Sequence, residues 1–266
     1  MRQPIVAGQF YPNDKEKLEK EIKKYLKKEP DPTIKAAIVP HAGYLFSGNC
    51  AGKVYSKLPR AETYIILGVN HQSIGEDIAI SLETFQTPLG EVGNDLELGE
   101  EILKELQIYE SEDPHLYEHS IEVQLPFLQY TQEHFHIVPI ILKNYTLEKC
   151  QKLSKAIVDC SRRLRRRTVI IASSDFTHTG PAYNSQVDIS IDKEAIEKIK
   201  NLNTQEFLKT AEKTTICGTG AIATTIETAK LLNIKEVQLI EYYDSSSVLN
   251  NENKVGYAGI IFKQHS

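Results

Sequence analysis

The chain has 266 residues, 41% of them apolar and 25% charged, with a formal net charge of -5. Such a composition excludes disorder and collagen-like repeats, and no global positive charge is available to draw nucleic acid. No apolar run approaches the roughly 20 residues that span a bilayer, and Gln3 and Pro4 interrupt MRQPIVAGQF before a secretory pattern can form.

The expectation is therefore a cytoplasmic protein with no nucleic-acid or membrane partner. Cys50, Cys150, Cys160 and Cys217 form no CxxC pair. They are too sparse for a disulfide scaffold and read as buried thiols.

Residues 1 to 12 are apolar and end at Tyr11-Pro12. Asn13 reads as an N-cap, with Glu16 completing a capping box. The helix that follows runs to about Lys28, with Leu18, Ile22, Tyr25 and Leu26 on one face. After Pro30-Asp31-Pro32 the run Ala36 to Val39 is a buried strand stopped by Pro40, and His41 stands at its carboxyl end. Gly43 and Gly48 permit a tight turn or a close approach. A helix over 49–58 and a strand from Thr63 to Val69 come next, and His71 stands in the loop after the strand. Two apolar strands separated by a helix predict a βαβ unit in a parallel sheet.

Residues 74 to 93 break this rhythm. Ile78 to Ile80 is a short strand, and Phe85, Pro88, Gly90 and Gly93 mark an inserted hairpin. An amphipathic helix follows from Asp95 to Leu106. In DPHLYEHSIEVQLPFLQY, a helix over 115–122 would put His115 with His119, and Glu118 with Glu122, on shared faces.

A strand from His136 to Leu142 and a helix from Leu147 to about Leu164 lead into the basic run Arg162 to Arg167. That run reads as a solvated cap at the negative end of the helix dipole, with a phosphate or partner surface as its alternative. Thr168 to Ala172 is a strand that opens into Ser173-Ser174-Asp175-Phe176-Thr177-His178. Helices are expected over 189–200 and 204–213, and from Cys217-Gly218-Thr219-Gly220 to about Leu232. The glycine motif has no Walker lysine and reads as helix entry or packing. Strands Val237 to Tyr242 and 255–262 close the pattern. One α/β domain over residues 1–266 is expected, with a central mostly parallel or mixed sheet, flanking helices and the inserted hairpin.

Open α/β sheets carry their chemistry at the carboxyl ends of the strands. His41 and His71 both sit there and are the candidate metal ligands. Glu241, Asp244 and Asp175 are each chemically able to supply a third ligand, but strand alternation cannot turn all of them inward. Asp175 and His178 form a carboxylate–imidazole pair suited to orientation and proton relay, and His119 is a further acid–base candidate. HExxH is absent, and nothing signals an organic cofactor.

VPHAGYLFSG, LGVNHQ, EHSIEVQLPFLQY and SSDFTHTG occur in that order. In this the sequence resembles the Memo family over most of its length. That family in turn resembles class III extradiol dioxygenases in fold and pocket position. The resemblance implies an α/β core, His41 and His71 as metal ligands, Asp175 and His178 as pocket residues, and His119 near the pocket. The two imidazoles suit iron or copper, with zinc also open, and an unidentified small molecule or peptide is the expected partner. A homo-oligomer is compatible with the resemblance. The animal member uses a cysteine as third ligand after a late YxxSS segment. Here YYDSSSV puts Val248 at that place, so either another group such as Asp244 completes the site or metal affinity is weakened.

Overall fold

The computed structural model describes residues 1–27 and 29–264. Its centre is an eight-stranded mixed sheet in the order β3-β6-β2-β7-β1-β10-β8, with β9 paired to β10. The strands are β1 (Ile34–Val39), β2 (Thr63–Val69), β3 (Ile78–Ile80), β6 (His136–Leu142), β7 (Thr168–Ser173), β8 (His178–Thr179), β9 (Glu236–Asp244) and β10 (Lys254–Lys263). A separate antiparallel hairpin pairs β4 (Phe85–Thr87) with β5 (Gly90–Val92).

The middle strands β6, β2, β7 and β1 are parallel, whereas β3 and β10 run antiparallel to their neighbours β6 and β1. The parallel strands read as nearly continuous apolar runs because both of their faces are covered. Alternation then sorts their side chains. Ile38, Ile65, Leu67, Ile140, Ile170 and Ala172 enter one core, and Val39, Tyr64, Ile66, Ile141 and Ile171 enter the other.

The first core is covered by α3 (Leu96–Leu106), α5 (Leu147–Arg163), α6 (Asp192–Lys200), α7 (Thr204–Ala211) and α8 (Thr219–Leu231). The second lies under α1 (Lys15–Tyr25), α2 (Tyr44–Tyr55), α4 (Leu125–Thr131) and the amino-terminal segment. Helices on both faces of a mixed sheet with a parallel centre make a three-layer α/β fold.

Local readings differ from the structure at four places. The cap of α1 is Asp14, which accepts from Lys17 N at 2.9 Å, and the helix ends at Tyr25; the expected end near Lys28 falls outside the described residues. The second helix runs Tyr44–Tyr55 and not 49–58, so Gly48 lies inside it with Gly52 and not in a turn. Their missing side chains let α1 approach: a Cβ on Gly52 would sit 2.6 Å from the Tyr25 carbonyl oxygen.

The segment 115–122 is not a helix. A single 3-10 turn covers Asp113–His115 and another Glu122–Gln124, with irregular chain between them. The four polar side chains therefore have separate environments. Finally, β9 runs on to Asp244 and the following serines form a 3-10 turn.

Candidate metal centre

Three strands end side by side, and each delivers a polar group. β1 leads through Pro40 to His41, β2 through Asn70 to His71, and β7 ends at Ser173 with Asp175 just beyond. The His41 and His71 rings lie 5.3 Å apart, nearly perpendicular. His119 stacks on His71 at 4.8 Å and meets His41 edge-on at 5.4 Å.

The rings open onto a cavity of about 420 Å³, which Asp175, His178, Phe10, Tyr183 and Tyr257 also line. His178 donates its backbone N–H to Thr215 Oγ1 at 2.6 Å, and its Nδ1 lies 3.2 Å from the Thr215 carbonyl.

The ring of His41 is 2% exposed and its tautomer follows from the hydrogen-bond network. Ser173 Oγ donates its single proton to the Ser120 carbonyl at 2.6 Å. It must therefore accept from Gln124 Nε2 at 2.8 Å and from His41 Nδ1 at 2.9 Å. The lone pair of His41 is left on Nε2, which lies 3.3 Å from Cys217 Sγ.

His71 is fixed in the same way from the other side. Both oxygens of Glu118 stand 3.0 Å from its Nδ1, and the same carboxylate accepts from His71 N at 2.9 Å and Ser120 N at 2.7 Å. Glu118 is 1% exposed, whereas 30% of the His71 side chain faces solvent. A histidine oriented by a buried carboxylate through one ring nitrogen, with the other turned to the Cys217 sulfur, suits metal ligation.

From the sequence Cys217 reads as one more buried thiol. Cys50, Cys150 and Cys160 are buried, but Cys217 is partly exposed. Gly218 places it. A Cβ there would lie 2.8 Å from the Ser173 carbonyl oxygen, and the Gly218 N–H donates to Ser174 Oγ at 2.9 Å. Only a glycine lets the entry to α8 close onto the end of β7 in this way. The Asp175 N–H then points at Cys217 Sγ from 3.3 Å. Donor atoms of His41, His71 and Cys217 all lie within 4.8 Å of one another, and a second cluster of the same span joins His71, Glu118 and His119.

The remaining expected residues separate. Asp175 is 4% exposed and accepts the His41 backbone N–H at 2.8 Å on Oδ1, so it holds the loop that presents His41. Asp244 caps the turn after β9, where it accepts from Ser246 N at 2.8 Å and from the Ser246 hydroxyl. It does not line the cavity, so the carboxylate expected as third donor is spent on local backbone.

Val248 is 42% exposed, and the sulfur beside the two imidazoles comes from Cys217 instead. His115 is buried against the Ala79 carbonyl at 3.1 Å. Glu122 clamps the amino-terminal segment by accepting from Ile5 N, Val6 N and Tyr11 Oη at 2.8, 3.1 and 2.6 Å. That clamp positions Phe10, whose carbonyl accepts from Tyr44 N at 2.7 Å and whose ring meets His119 at 5.0 Å.

Electrostatics divide the cluster. Burial, then the neighbouring His119 and His71, holds His41 well below the ordinary histidine range. Burial likewise brings His119 down to about 4. Burial opposes charge on His71 too, but its bonds to Cys217 and Glu118 outweigh it and raise the imidazole to about 10. Glu118 falls to about 2 despite burial, chiefly through His71. Burial pushes the Cys217 thiol and the Asp175 carboxyl up.

Two imidazoles and a sulfur form a donor set for zinc, copper or iron, and not for the hard ions that take oxygen ligands. The residues present therefore fit a transition metal.

A three-layer α/β protein with a histidine–cysteine cluster at the carboxyl ends of its parallel strands is the class that this fold and site define. Residues 2–261 match the family model described as Memo-like protein. The chain is 38% identical to a MEMO1 family protein of Archaeoglobus fulgidus, over 99% of this chain and 100% of that one. It is 40% identical to one of Methanosarcina mazei, over 98% of each, and 36% identical to one of Aquifex aeolicus, over 98% and 99%. The chain belongs to the Memo family.

Proposed function

We propose that His41, His71 and Cys217 hold a redox-active transition metal, iron or copper, beneath a cavity that takes a small polar molecule. The observation that carries this reading is the convergence of three donor atoms within 4.8 Å, from loops after two strands and before a helix. Such a metal would supply a Lewis acid and a one-electron couple. The chain's own groups do the rest. Glu118 and Ser173 hold the two imidazoles with their Nε2 atoms toward the sulfur. Asp175 keeps the His41 loop in place. His119 and His178 stand on the cavity wall, where an imidazole can pass a proton to or from a bound molecule.

The cavity volume of about 420 Å³ suits a small molecule better than a peptide laid along a groove. A sulfur in place of the carboxylate of a two-histidine, one-carboxylate iron site weighs against extradiol dioxygenase chemistry. Four free thiols support placement in a reducing cytoplasm. Among the described residues, no helix is long and apolar enough to cross a membrane.

Metal analysis after anaerobic purification tests the ligand set. The wild type should carry stoichiometric iron or copper, and Cys217→Ser and His41→Ala should lose most of it while remaining folded by circular dichroism. Equal metal content in the folded variants defeats the assignment, and zinc alone defeats the redox reading. The metal-loaded protein is expected to show no dioxygen uptake with catechols, and uptake would overturn the argument against extradiol chemistry.

A further inference from the structure

At the opposite, amino-terminal end of the parallel strands lies a second cavity, of about 500 Å³. Its walls come from the starts of β1 and β7, the end of α5 and the loop before β2. Ile34, Ile157, Val158 and Leu232 give it an apolar floor, and Lys35, Arg162 and Arg165 bring cations to it.

A helix cap explains only part of this. Arg162 Nη2 donates to the Leu231 carbonyl at 3.2 Å, and Arg163 pairs with Glu101 at 3.0 Å, away from the cavity. Arg166 is engaged by Asp95 and Glu97 at 2.9 and 2.5 Å, and Arg167 by Glu62 at 3.6 Å. Among the described residues, Lys35, Arg162 and Arg165 make no ion pair. Lys35 comes from another element altogether, at the irregularity where the β1–β10 register shifts between Ile34 and Ala36. Shifts of this kind re-aim side chains.

The second observation is Ser161. It lines the cavity, is 7% exposed, and its buried hydroxyl has no hydrogen-bond partner. Other buried helical hydroxyls here bond back to the preceding turn, as Ser154 does to Gln151 O at 2.9 Å and Thr224 to Gly220 O at 2.9 Å. A buried hydroxyl left unpaired carries a desolvation cost that a ligand oxygen would remove. Arg165 adds a third sign. It occupies the left-handed position after α5, with φ 54, where glycine is the usual residue.

We infer that this cleft binds a small organic phosphate of about nucleotide size, its phosphate meeting Ser161, Lys35 and Arg165 and its body lying on the apolar floor. Guanidinium and ammonium groups around a hydroxyl donor suit phosphate oxygens. The volume lies within the range of small-molecule sites. This site is separate from the metal centre and does not depend on it.

Calorimetric titration of the full chain with AMP, inorganic phosphate and adenosine tests the inference. AMP should bind saturably, inorganic phosphate more weakly, and adenosine not at all. Lys35→Ala and Ser161→Ala should each weaken AMP, the lysine change by about tenfold or more. Arg165→Gly separates binding from folding: it should raise the thermal midpoint by relieving the left-handed backbone while it lowers AMP affinity. Metal content should be unchanged in all three. Absence of saturable AMP binding overturns the proposal, and so does AMP affinity that these changes leave intact. Inorganic phosphate binding as tightly as AMP overturns the role of the apolar floor. A single-stranded oligonucleotide that binds where AMP does not would replace the small-molecule site with a polyanion surface.

Discussion

Replacing Ser173 by alanine removes the acceptor for the His41 Nδ1 proton and leaves the Gln124 amide without one of its partners. The imidazole is then free to turn or change tautomer. Metal affinity, measured by competition with a chelator, should fall about tenfold. Glu118→Gln should cost at least as much, up to about a hundredfold, because the carboxylate holds both the ring and the backbone of His71. Unchanged affinity in both variants would show that neither partner positions a ligand.

Gly218→Ala makes a different demand. The added methyl group meets the Ser173 carbonyl, so the Cys217 loop must lift off β7. Loss of bound metal with a folded core is the expected result, read by metal analysis beside circular dichroism.

At the scale of elements, the glycines of α2 make a stability prediction. Gly52→Ala puts a Cβ against the Tyr25 backbone, which cannot move without shifting α1. A loss of about 1–3 kcal/mol in urea unfolding is expected. A loss no larger than that of an exposed helix substitution would mean that α1 yields easily.

The same scale shows what could be read without coordinates. Buried parallel strands announce themselves as long apolar runs, and the histidines after β1 and β2 stood out because loops at those ends are chemical ground. The turn at 115–122 did not, since an i, i+4 spacing of like residues fits a helix whether or not one forms. Pro114 and the buried Glu118 carboxylate, which takes one N–H from Ser120 and two from the distant His71, favour the irregular path seen. Cys217 was invisible as a site residue for a related reason. Its neighbours in space, His41 and His71, are remote in sequence, so no local pattern links the three. Its one signal is the glycine beside it at a helix start, which in the sequence reads as helix entry or packing. Asp244 looked available because sequence cannot tell a cap from a ligand. The Arg162 to Arg167 run reads as a solvated cap because Lys35 is remote in sequence, on β1, and sequence does not show that the Ser161 hydroxyl beside the run lacks a partner.

For the molecule as a whole, acid stability should depend on Asp95, which ties three elements together. It caps α3 through Leu98 N at 3.1 Å, accepts Thr63 Oγ1 at 2.5 Å at the start of β2, and pairs with Arg166 after α5. Burial works against its charge, but these three partners outweigh burial and lower its pKa. A carboxylate depressed in the folded state stabilises it fully above the unfolded value and loses that contribution as pH falls through the folded one. The wild type should therefore lose stability below about pH 4, and Asp95→Asn should be less stable at neutral pH with a shallower decline on acidification. Urea unfolding across that range measures both slopes, and parallel curves would remove Asp95 from the account.

The position of β10 between β1 and β9 has a consequence for synthesis. Ile34 pairs with Lys263, and Val255 and Tyr257 on the same strand form part of the cavity wall. While the ribosome is still making residues before 254, β1 has an unpaired edge and the chamber over the histidines lacks a side. Nascent chains stalled there should remain open to proteases and to sticking edge-to-edge, and the metal uptake proposed for the histidine–cysteine cluster should begin only after that strand has emerged and slotted into place.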